Sequence, residues 1–214
     1  MEKKFKKLII VIPAHNEEKT LEKILNKTKD IADTIVINDC STDKTKTIAK
    51  KFSTYSINNK KNFGYDRSLI VGFKHILKKN YKYVLTFDAD GEHRISDIHK
   101  LIKYIKSNDF NCVIGSRTIF NRNSERISSY ISSFLFNISD PFSGFKCYKS
   151  SYLRKIIPTL KLDKLYLGLF FFLNKNKIKN INIKVNKSKK SNNYSNIKLE
   201  ILFAYIFMKI LFFK

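Results

Sequence analysis

The chain has 214 residues, of which 43% are hydrophobic and 14% aromatic, so it can bury a sizeable core and is not a disordered protein. Its formal net charge of +24 favours anionic partners such as phosphorylated ligands or an acidic membrane face, although lysines spread along the whole chain also suit a solvated surface. Three widely spaced cysteines without a Cys-x-x-Cys pair argue against a structural zinc site and favour a reducing compartment.

Short apolar runs alternate with longer amphipathic stretches. Runs rich in β-branched residues predict strands, and apolar residues at helical spacing predict helices. The predicted strands cover residues 8–12, 34–37, 83–87 and 112–114, and the predicted helices cover residues 18–32, 43–52, 66–79 and 96–107. This alternation predicts an α/β fold with a mainly parallel sheet flanked by helices. Strands that are apolar along their full length, such as LIIVI, suit a sheet covered on both faces.

Polar and acidic loops follow three of the predicted strands. They are PAHNEE at 13–18, NDCSTD at 38–43 and DADGEH at 88–93. Open α/β sheets bind ligands at the carboxyl ends of their strands, so these loops are expected to share one crevice. Carboxylates suit Mg²⁺ or Mn²⁺, and Mg²⁺ typically joins one or two of them to substrate phosphates. The pattern favours a metal-bridged nucleoside diphosphate over a solvated turn.

Three other interpretations of DADGEH fit less well. An EF-hand loop that starts at Asp88 needs Gly at its sixth position and Glu at its twelfth, where this chain has His93 and His99. A phosphatase of the haloacid dehalogenase type carries Asp-x-Asp-Gly on its first strand and follows it with Thr or Val, whereas Glu92 follows here. A dinucleotide-binding fold needs Gly-x-Gly-x-x-Gly after the first strand, where PAHNEE has no glycine.

Six motifs together resemble family 2 glycosyltransferases of the GT-A fold. In chain order they are VIPAHNEE, VINDCSTDKT, NFGYDRSLIVGF, LTFDADGEHRISDI, VIGSR and DPFSGFKCY. They are most similar to the branch that moves a sugar onto a polyprenyl phosphate, typified by dolichol-phosphate mannosyltransferase. The resemblance covers residues 8 to about 150 and weakens afterwards. It implies an inverting, metal-dependent hexosyltransferase with a UDP- or GDP-sugar donor, a dolichyl or undecaprenyl phosphate acceptor, and Mg²⁺ or Mn²⁺.

The resemblance also implies a role for each residue that matches a family motif. The implied ligands of the nucleotide-sugar are Pro13, Asn16, Glu17, Asp39 and Asp88, and the implied metal ligands are Asp88, Asp90 and Glu92. Asp90 is also expected to be catalytic. Asn38 replaces the first acid of the family's Asp-Asp-x-Ser-x-Asp stretch. Asn16 and Asp43 have an alternative role as helix caps.

The acceptor needs cations more than it needs a general base. A phosphomonoester, with a second pKa of about 6, is already largely ionised at pH 7. Arg117 resembles the family's acceptor-phosphate arginine and is the second expected catalytic residue. Arg126 is a further candidate, with a surface role as the alternative, since guanidinium suits phosphate better than lysine does. The resemblance adds Ser143 and Lys146 from SGFK, and Lys190 from KSNNYS, as acceptor contacts.

Residues 1–160 are expected to form the catalytic domain, with a weakly matching C-terminal part at 161–196 and an apolar helical tail at 197–214. Charges interrupt the tail, and spanning a bilayer takes about 20 mostly apolar residues. We therefore expect an interfacial or partly inserted anchor, with a helix packed on the domain as the alternative. The segment at 127–138, apolar on one face, lies where this branch has interfacial helices. The expected location is cytoplasmic, peripherally bound to the cytoplasmic face of a membrane.

Some positions depart from the family pattern. Asp66 and Ser68 stand where many members have Gly and Ala, and KLYLGLFFFL lacks the acid that usually follows the SGF motif. These departures leave two alternatives open: a glycosyltransferase that acts on a polysaccharide or another sugar acceptor, and a degenerate sugar-nucleotide binder. A nucleic-acid-binding protein would explain the charge, but the chain has no recognised motif for it and acids line the predicted crevice. Nucleic acid is therefore not an expected partner.

Overall fold

The computed structural model describes residues 4–107, 109–120, 123–159 and 177–186. In these ranges a single mixed sheet is flanked by helices. The strands are β1 (Leu8–Ala14), β2 (Asp33–Asn38), β3 (Tyr55–Asn58), β4 (Tyr83–Thr86), β5 (Cys112–Arg117), β6 (Lys146–Lys149) and β7 (Ile178–Ile183). The helices are α1 (Leu21–Thr28), α2 (Thr45–Phe52), α3 (Tyr65–Ile76), α4 (Asp97–Ser107), α5 (Asn123–Phe136) and α6 (Ser150–Ile156), followed by a 3₁₀ turn (Ile157–Thr159).

The strand order is β3-β2-β1-β4-β6-β5-β7. All neighbouring pairs are parallel except those of β6, which runs antiparallel to both β4 and β5. Strand β1 lies between β2 and β4, and the three strands point the same way. The loops that follow them therefore emerge side by side at one edge of the sheet, as the sequence predicts.

The core lies on both faces of the sheet. Alternate side chains of β1 point to opposite faces. Ile9 and Val11 belong to the cluster packed under α3 and α6, and Ile10 and Ile12 belong to the cluster under α1, α2 and α4. All seven residues of β1 are buried. Coverage on both faces explains why LIIVI is apolar without alternation.

Helix α3 packs very closely on the sheet because one of its residues is a glycine. A Cβ atom on Gly72 would lie 2.7 Å from Cδ1 of Ile37 and 2.8 Å from Cγ1 of Val11. These two side chains come from β2 and β1, the strands whose loops begin the crevice. The close approach fixes the position of α3 relative to those loops.

The four predicted strands and four predicted helices are confirmed, with shifted ends. Helix α1 begins at Leu21 rather than 18, because residues before it form the turn that follows β1. Helix α2 begins at Thr45 with Lys44 at the N-cap position, and the Thr45 backbone N–H donates to the carboxylate of Asp43, the residue before the cap, at 2.9 Å. The sequence analysis missed β3, β6, β7 and α6. Strands β3 and β6 have only four residues each, and β3 is only partly buried at the edge of the sheet.

Strand β7 pairs with β5 and lies within 161–196, the range expected to complete the catalytic domain. The remainder of that range, including KLYLGLFFFL and Lys190, and the apolar tail at 197–214 lie outside the described residues. In the part of the chain that the structure describes, no helix is both long enough and apolar enough to cross a membrane.

Candidate active site

The loops after β1 and β2 are held together by hydrogen bonds between side chains and backbone. The Asn16 side-chain carbonyl accepts from the backbone N–H of Thr42 at 2.9 Å, and the Asn16 N–H donates to Ser41 Oγ at 3.0 Å. Asn16 has a φ of 56°, which asparagine tolerates better than most residues. The Glu17 N–H donates to Thr45 Oγ1 at 2.7 Å. The Asn16 side chain therefore binds the neighbouring loop rather than capping its own helix.

Asp39 is buried and organises the loop that leads into α3. Its Oδ1 accepts from Asn59 Nδ2 at 2.7 Å and from the Phe63 N–H at 2.9 Å, and its Oδ2 accepts from the Gly64 N–H at 2.7 Å. Gly64 has a φ of 83° and immediately precedes α3. The Asp39 carboxylate thus satisfies backbone donors at the start of this helix, a role that the sequence pattern did not reveal.

His15 lies beside these two loops and was missed by sequence reasoning. Its Nδ1 lies 2.7 Å from the Asp39 carbonyl oxygen, and its Nε2 lies 3.3 Å from Nδ2 of Asn62. Pro13 precedes it within β1, paired with Ile37 of β2, and is buried. His15, Asn16 and Asn62 are exposed at this end of the crevice.

Both carboxylate oxygens of Asp88 accept hydrogen bonds. The Tyr65 hydroxyl donates to Oδ1 at 2.8 Å, and Nε2 of His93 lies 3.0 Å from Oδ2. A Cβ atom on Gly144 would lie within 2.2 Å of both oxygens, so the glycine of the SGF motif gives the Asp88 carboxylate its space. Burial acts to raise the pKa of Asp88, but the bond and charge of His93 and the bond of Tyr65 lower it.

The carboxylate of Asp90 is partly buried close to the negative charges of Asp88 and Glu92. Burial, together with the charges of Asp88 and Glu92, raises the pKa of Asp90 to about 6. Its Oδ1 accepts the Glu92 N–H at 2.9 Å. Asn186, just after β7, donates its backbone N–H to the Glu92 carbonyl at 2.8 Å and its side-chain amide to the Gly91 carbonyl at 3.1 Å. Two hydrogen bonds from Asn186, which lies outside this loop, therefore hold the turn that carries Asp90 and Glu92.

These residues fit an open divalent-cation site. Across the described ranges, no three His, Cys, Asp or Glu side chains form a ready-made metal cluster. Mg²⁺ typically binds one or two carboxylates and completes its shell with phosphates and water, so a closed cluster is not required. A cation beside Asp90 would relieve the repulsion that raises its pKa.

His93 supports this loop from beneath. The ring stacks on Phe145 with centroids 5.1 Å apart and meets the edge of Phe87 at 5.8 Å. Burial acts to lower the pKa of His93, but the bond and charge of Asp88 raise it. Sequence reasoning used His93 only to reject an EF-hand, because neither Asp88 nor Phe145 lies at a spacing that suggests contact.

Arg117 is held rigidly by a buried carboxylate that the sequence analysis did not single out. Its Nε lies 2.8 Å from Oδ2 of Asp140 and its Nη2 lies 3.1 Å from Oδ1, while its backbone N–H also donates to Oδ2 at 3.0 Å. Its Nη1 is 3.8 Å from the Glu125 carboxylate. Burial acts to lower the pKa of Arg117, but Asp140, Glu125 and Glu92 raise it above its usual range. Strands β4 and β5 both run antiparallel to β6, so Arg117 lies at the same edge of the sheet as the acidic loop after β4.

The other predicted acceptor residues lie in different settings. Ser143 is buried, and its hydroxyl donates to the Gly115 carbonyl at 2.5 Å. Lys146 is also buried, donates to the Pro141 carbonyl at 3.1 Å, and has a pKa lowered by burial. Arg126 is exposed on α5. Ser143 and Lys146 therefore brace the loop between Asp140 and β6, whereas Arg126 is open to the surface.

Helix α5 has an unusual distribution of side chains. Ile127, Tyr130 and Phe134 are exposed by 59%, 79% and 80%. The buried side of the helix carries serines instead, and Ser132 donates to the Ile138 carbonyl at 2.6 Å. Surface helices normally bury their apolar side chains and expose their polar ones. The apolar face of α5 is thus turned outward.

The strand order, the antiparallel β6 and the acidic loop after β4 define the GT-A class of nucleotide-diphospho-sugar transferase folds. The glucosyl-3-phosphoglycerate synthase of Mycobacterium tuberculosis superposes with a TM-score of 0.70 at 15% identity, over 97% of this chain and 79% of that one. The mannosyl-3-phosphoglycerate synthase of Rubrobacter xylanophilus superposes with a TM-score of 0.76 at 10% identity, over 96% of this chain and 74% of that one. The predicted fold class is confirmed.

The family model "Glycosyl transferase family 2" matches residues 9–182, so the chain belongs to this family and is a glycosyltransferase. An uncharacterized protein of Methanocaldococcus jannaschii is 30% identical over 181 residues, which is 78% of this chain and 74% of that protein. The UDP-N-acetylglucosamine–dolichyl-phosphate N-acetylglucosaminyltransferase of Methanococcus voltae is 29% identical over 52% of each chain. The undecaprenyl-phosphate mannosyltransferase of Micrococcus luteus is 25% identical over 70% of this chain and 69% of that one. The predicted family is confirmed.

Proposed function

We propose that this protein transfers a sugar from a UDP- or GDP-sugar to a polyprenyl phosphate, with inversion and with the help of Mg²⁺ or Mn²⁺. The observation that supports the proposal is the pairing of an acidic loop with a partly buried arginine. The loop after β4 and Arg117 at the end of β5 lie at the same edge of the sheet, because both strands run antiparallel to β6, which lies between them. Donor diphosphate and acceptor phosphate are the two groups that such a pair suits.

On the donor side, Asp90 and Glu92 would hold the cation, and Asp88 would add its charge and its remaining lone pairs. The pKa of Asp90, which burial and the charges of Asp88 and Glu92 raise, favours this assignment. A cation held by these residues would supply positive charge for the leaving diphosphate. His15, Asn16 and Asp39 follow β1 and β2, and Asn62 lies beside His15; the nucleoside would bind at this end of the crevice.

On the acceptor side, Arg117 would hold the lipid phosphate. An acceptor phosphate oxygen attacks the anomeric carbon of the sugar from the face opposite the leaving group. The bond between that carbon and the donor diphosphate breaks, and the nucleoside diphosphate departs with the bonding electrons. Because the acceptor oxygen is already ionised near pH 7, no side chain has to remove a proton. Asp140 fixes the guanidinium plane through two hydrogen bonds, so Arg117 meets the phosphate without reordering.

The outward apolar face of α5 supports a membrane-borne acceptor. Ile127, Tyr130 and Phe134 would enter the headgroup region, and the exposed Arg126 on the same helix would meet anionic lipid. The names of the Methanococcus voltae and Micrococcus luteus relatives specify dolichyl and undecaprenyl phosphate as acceptors. We therefore propose peripheral attachment to the cytoplasmic face of a membrane.

The test is a nucleotide-release assay with a panel of UDP- and GDP-sugars, with and without polyprenyl phosphate and with Mn²⁺, Mg²⁺ or chelator. We expect release to need both the lipid and the metal, and to fall about 100-fold or more in Asp90→Asn. Asp109→Asn is the matched control, since Asp109 is an exposed carboxylate that pairs with Lys149 and Lys177 on the surface. Release that persists in chelator and in Asp90→Asn would contradict the proposal.

A further inference from the structure

The first turn of α3 is linked by hydrogen bonds to two aspartates of the candidate donor site, directly to Asp88 and through Asn59 to Asp39. The Tyr65 hydroxyl donates to Asp88 Oδ1 at 2.8 Å. Ser68 Oγ accepts from Asn59 Nδ2 at 3.0 Å, and the same amide donates to Asp39 Oδ1 at 2.7 Å. Asp39 follows β2 and Asp88 follows β4, so one helical turn links the nucleoside end of the crevice to its metal end.

This turn is itself firmly placed. The backbone N–H groups of Phe63 and Gly64 donate to the Asp39 carboxylate, which anchors the start of α3. About two turns further on, Gly72 brings the helix against Val11 and Ile37 of the central strands. Ser68 is fully buried between these two anchors. Movement of this turn relative to β1 and β2 would therefore break hydrogen bonds at one end and close packing at the other.

The side chains of Tyr65 and Ser68 restrict the orientations of the Asp88 carboxylate and the Asn59 amide. The Asp88 carboxylate is held from one side by Tyr65 and from the other by His93, so both bonds are needed to fix the plane of the group. The Asn59 amide donates to Asp39 and Ser68 together, so Ser68 fixes the direction of the Asn59 bond to Asp39. Hydrogen bonds to charged groups are among the strongest that side chains form.

We propose that Tyr65 and Ser68 are positioning residues of the donor site, and that the first turn of α3 holds Asp39 and Asp88 at a fixed separation for a nucleoside diphosphate and its cation. The inference rests on the proposed function, because it assigns the donor to this crevice. Ser68 is one of the departures from the family motif, and Tyr65 lies in the same stretch, NFGYDRS. A preorganised site loses less entropy on binding than one that must be ordered by its ligand.

The test is the affinity of UDP and GDP, measured by calorimetry with and without Mn²⁺, for wild type, Tyr65→Phe and Ser68→Ala. Tyr65→Phe should weaken binding about 3- to 10-fold in Mn²⁺ and much less in chelator, because its bond lies at the metal end. Ser68→Ala should weaken binding about 3-fold under both conditions, because its bond lies at the nucleoside end. In turnover, both variants should raise the donor KM more than they lower kcat.

Tyr81→Phe is the matched control. The Tyr81 hydroxyl also donates to an aspartate, Asp33, at 2.7 Å. Asp33 is the first residue of β2, so it lies at the end of the strand that is farther from the crevice. We expect this variant to lower Tm and to leave nucleotide affinity unchanged. If Tyr65→Phe and Ser68→Ala both bind nucleotide as tightly as wild type, or if Tyr81→Phe loses as much nucleotide affinity as they do, this inference is wrong and the proposed function is unaffected. A wild-type protein that binds neither nucleotide in Mn²⁺ would overturn the proposed function and this inference with it.

Discussion

Arg117 and Asp140 form a salt bridge, and removal of either side chain would destabilise the folded protein. Asp140 is completely buried, and an unpaired carboxylate in that position would lose its hydration without compensation. Two bonds from the guanidinium and one from the Arg117 backbone satisfy it. Nη1 makes neither of these side-chain bonds and lies 3.8 Å from the Glu125 carboxylate, and we propose it as the donor to an acceptor phosphate.

The first prediction concerns this pair. Asp140→Asn leaves the Arg117 guanidinium buried without its counter-ion, so the free energy of unfolding should fall by about 3 kcal/mol. Urea unfolding followed by circular dichroism measures the change, with Asp109→Asn as the comparison. Asp109 is exposed and its partners are lysines on the surface, so its loss should be far smaller. Equal stability of the two variants would show that the buried pair is not a stabilising element.

The second prediction concerns Gly144. Gly144→Ala places a methyl group where the Asp88 carboxylate lies, so Asp88 must leave its bonds with Tyr65 and His93. We expect the affinity for UDP or GDP in Mn²⁺ to fall about tenfold or more, with a smaller change in chelator. Fluorescence titration with and without Mn²⁺ measures both. An alanine variant with wild-type affinity in Mn²⁺ would mean that the position of Asp88 does not matter for the donor.

For single residues, the sequence predicts the position of the acidic loop but not the side chains that contact and position it. Asp88 and Asp90 are recognisable because two carboxylates one residue apart follow a buried strand. Tyr65, His93 and Asp140 give no comparable signal, since what matters is which distant side chain each one meets. Asp39 and Ser143 were predicted as ligand contacts, and the structure adds that both brace loops of their own chain.

Among the elements, the sequence predicts well those that are long and uniformly apolar. Strands β1 and β2 and helices α3 and α4 have patterns that span most of their length. Strand β6 has only four residues, KCYK, and its place depends on pairing with β4 and β5 on either side. Such a strand is specified by tertiary contacts rather than by local periodicity. Its antiparallel direction is what carries the loop 140–146 back toward Asp88.

The third prediction concerns α5. Replacing Tyr130 and Phe134 together with serine removes the two most exposed apolar side chains among those that the structure describes on this helix, and neither side chain is part of the core. We expect sedimentation with vesicles of phosphatidylcholine and phosphatidylglycerol to fall several-fold, with Tm nearly unchanged. Tyr104→Ser, an exposed aromatic on α4, is the control that should not affect sedimentation. Full vesicle binding by the double variant would remove α5 from the membrane contact.

For the whole molecule, the distribution of charge matters more than its sum. The chain carries +24, yet the loops after β1, β2 and β4 gather acidic side chains at one edge of the sheet. A basic surface attracts anionic lipid and nucleotide donors over distances of about 10 Å at ordinary salt. We propose that the acidic crevice takes up a cation before it receives a diphosphate. The two properties together suit an enzyme that takes one anionic substrate from solution and the other from a membrane.

The most direct test of this account follows the sugar itself. Protein, Mn²⁺ and a labelled donor are incubated with undecaprenyl phosphate in vesicles or with 3-phosphoglycerate in solution, and the reaction is extracted into organic solvent. The donor for this test is the UDP- or GDP-sugar that gives acceptor-dependent release. We predict label in the organic phase only with the lipid phosphate, and none with Asp90→Asn. Label that appears on the water-soluble phosphate, with none in the lipid, would contradict the proposed acceptor.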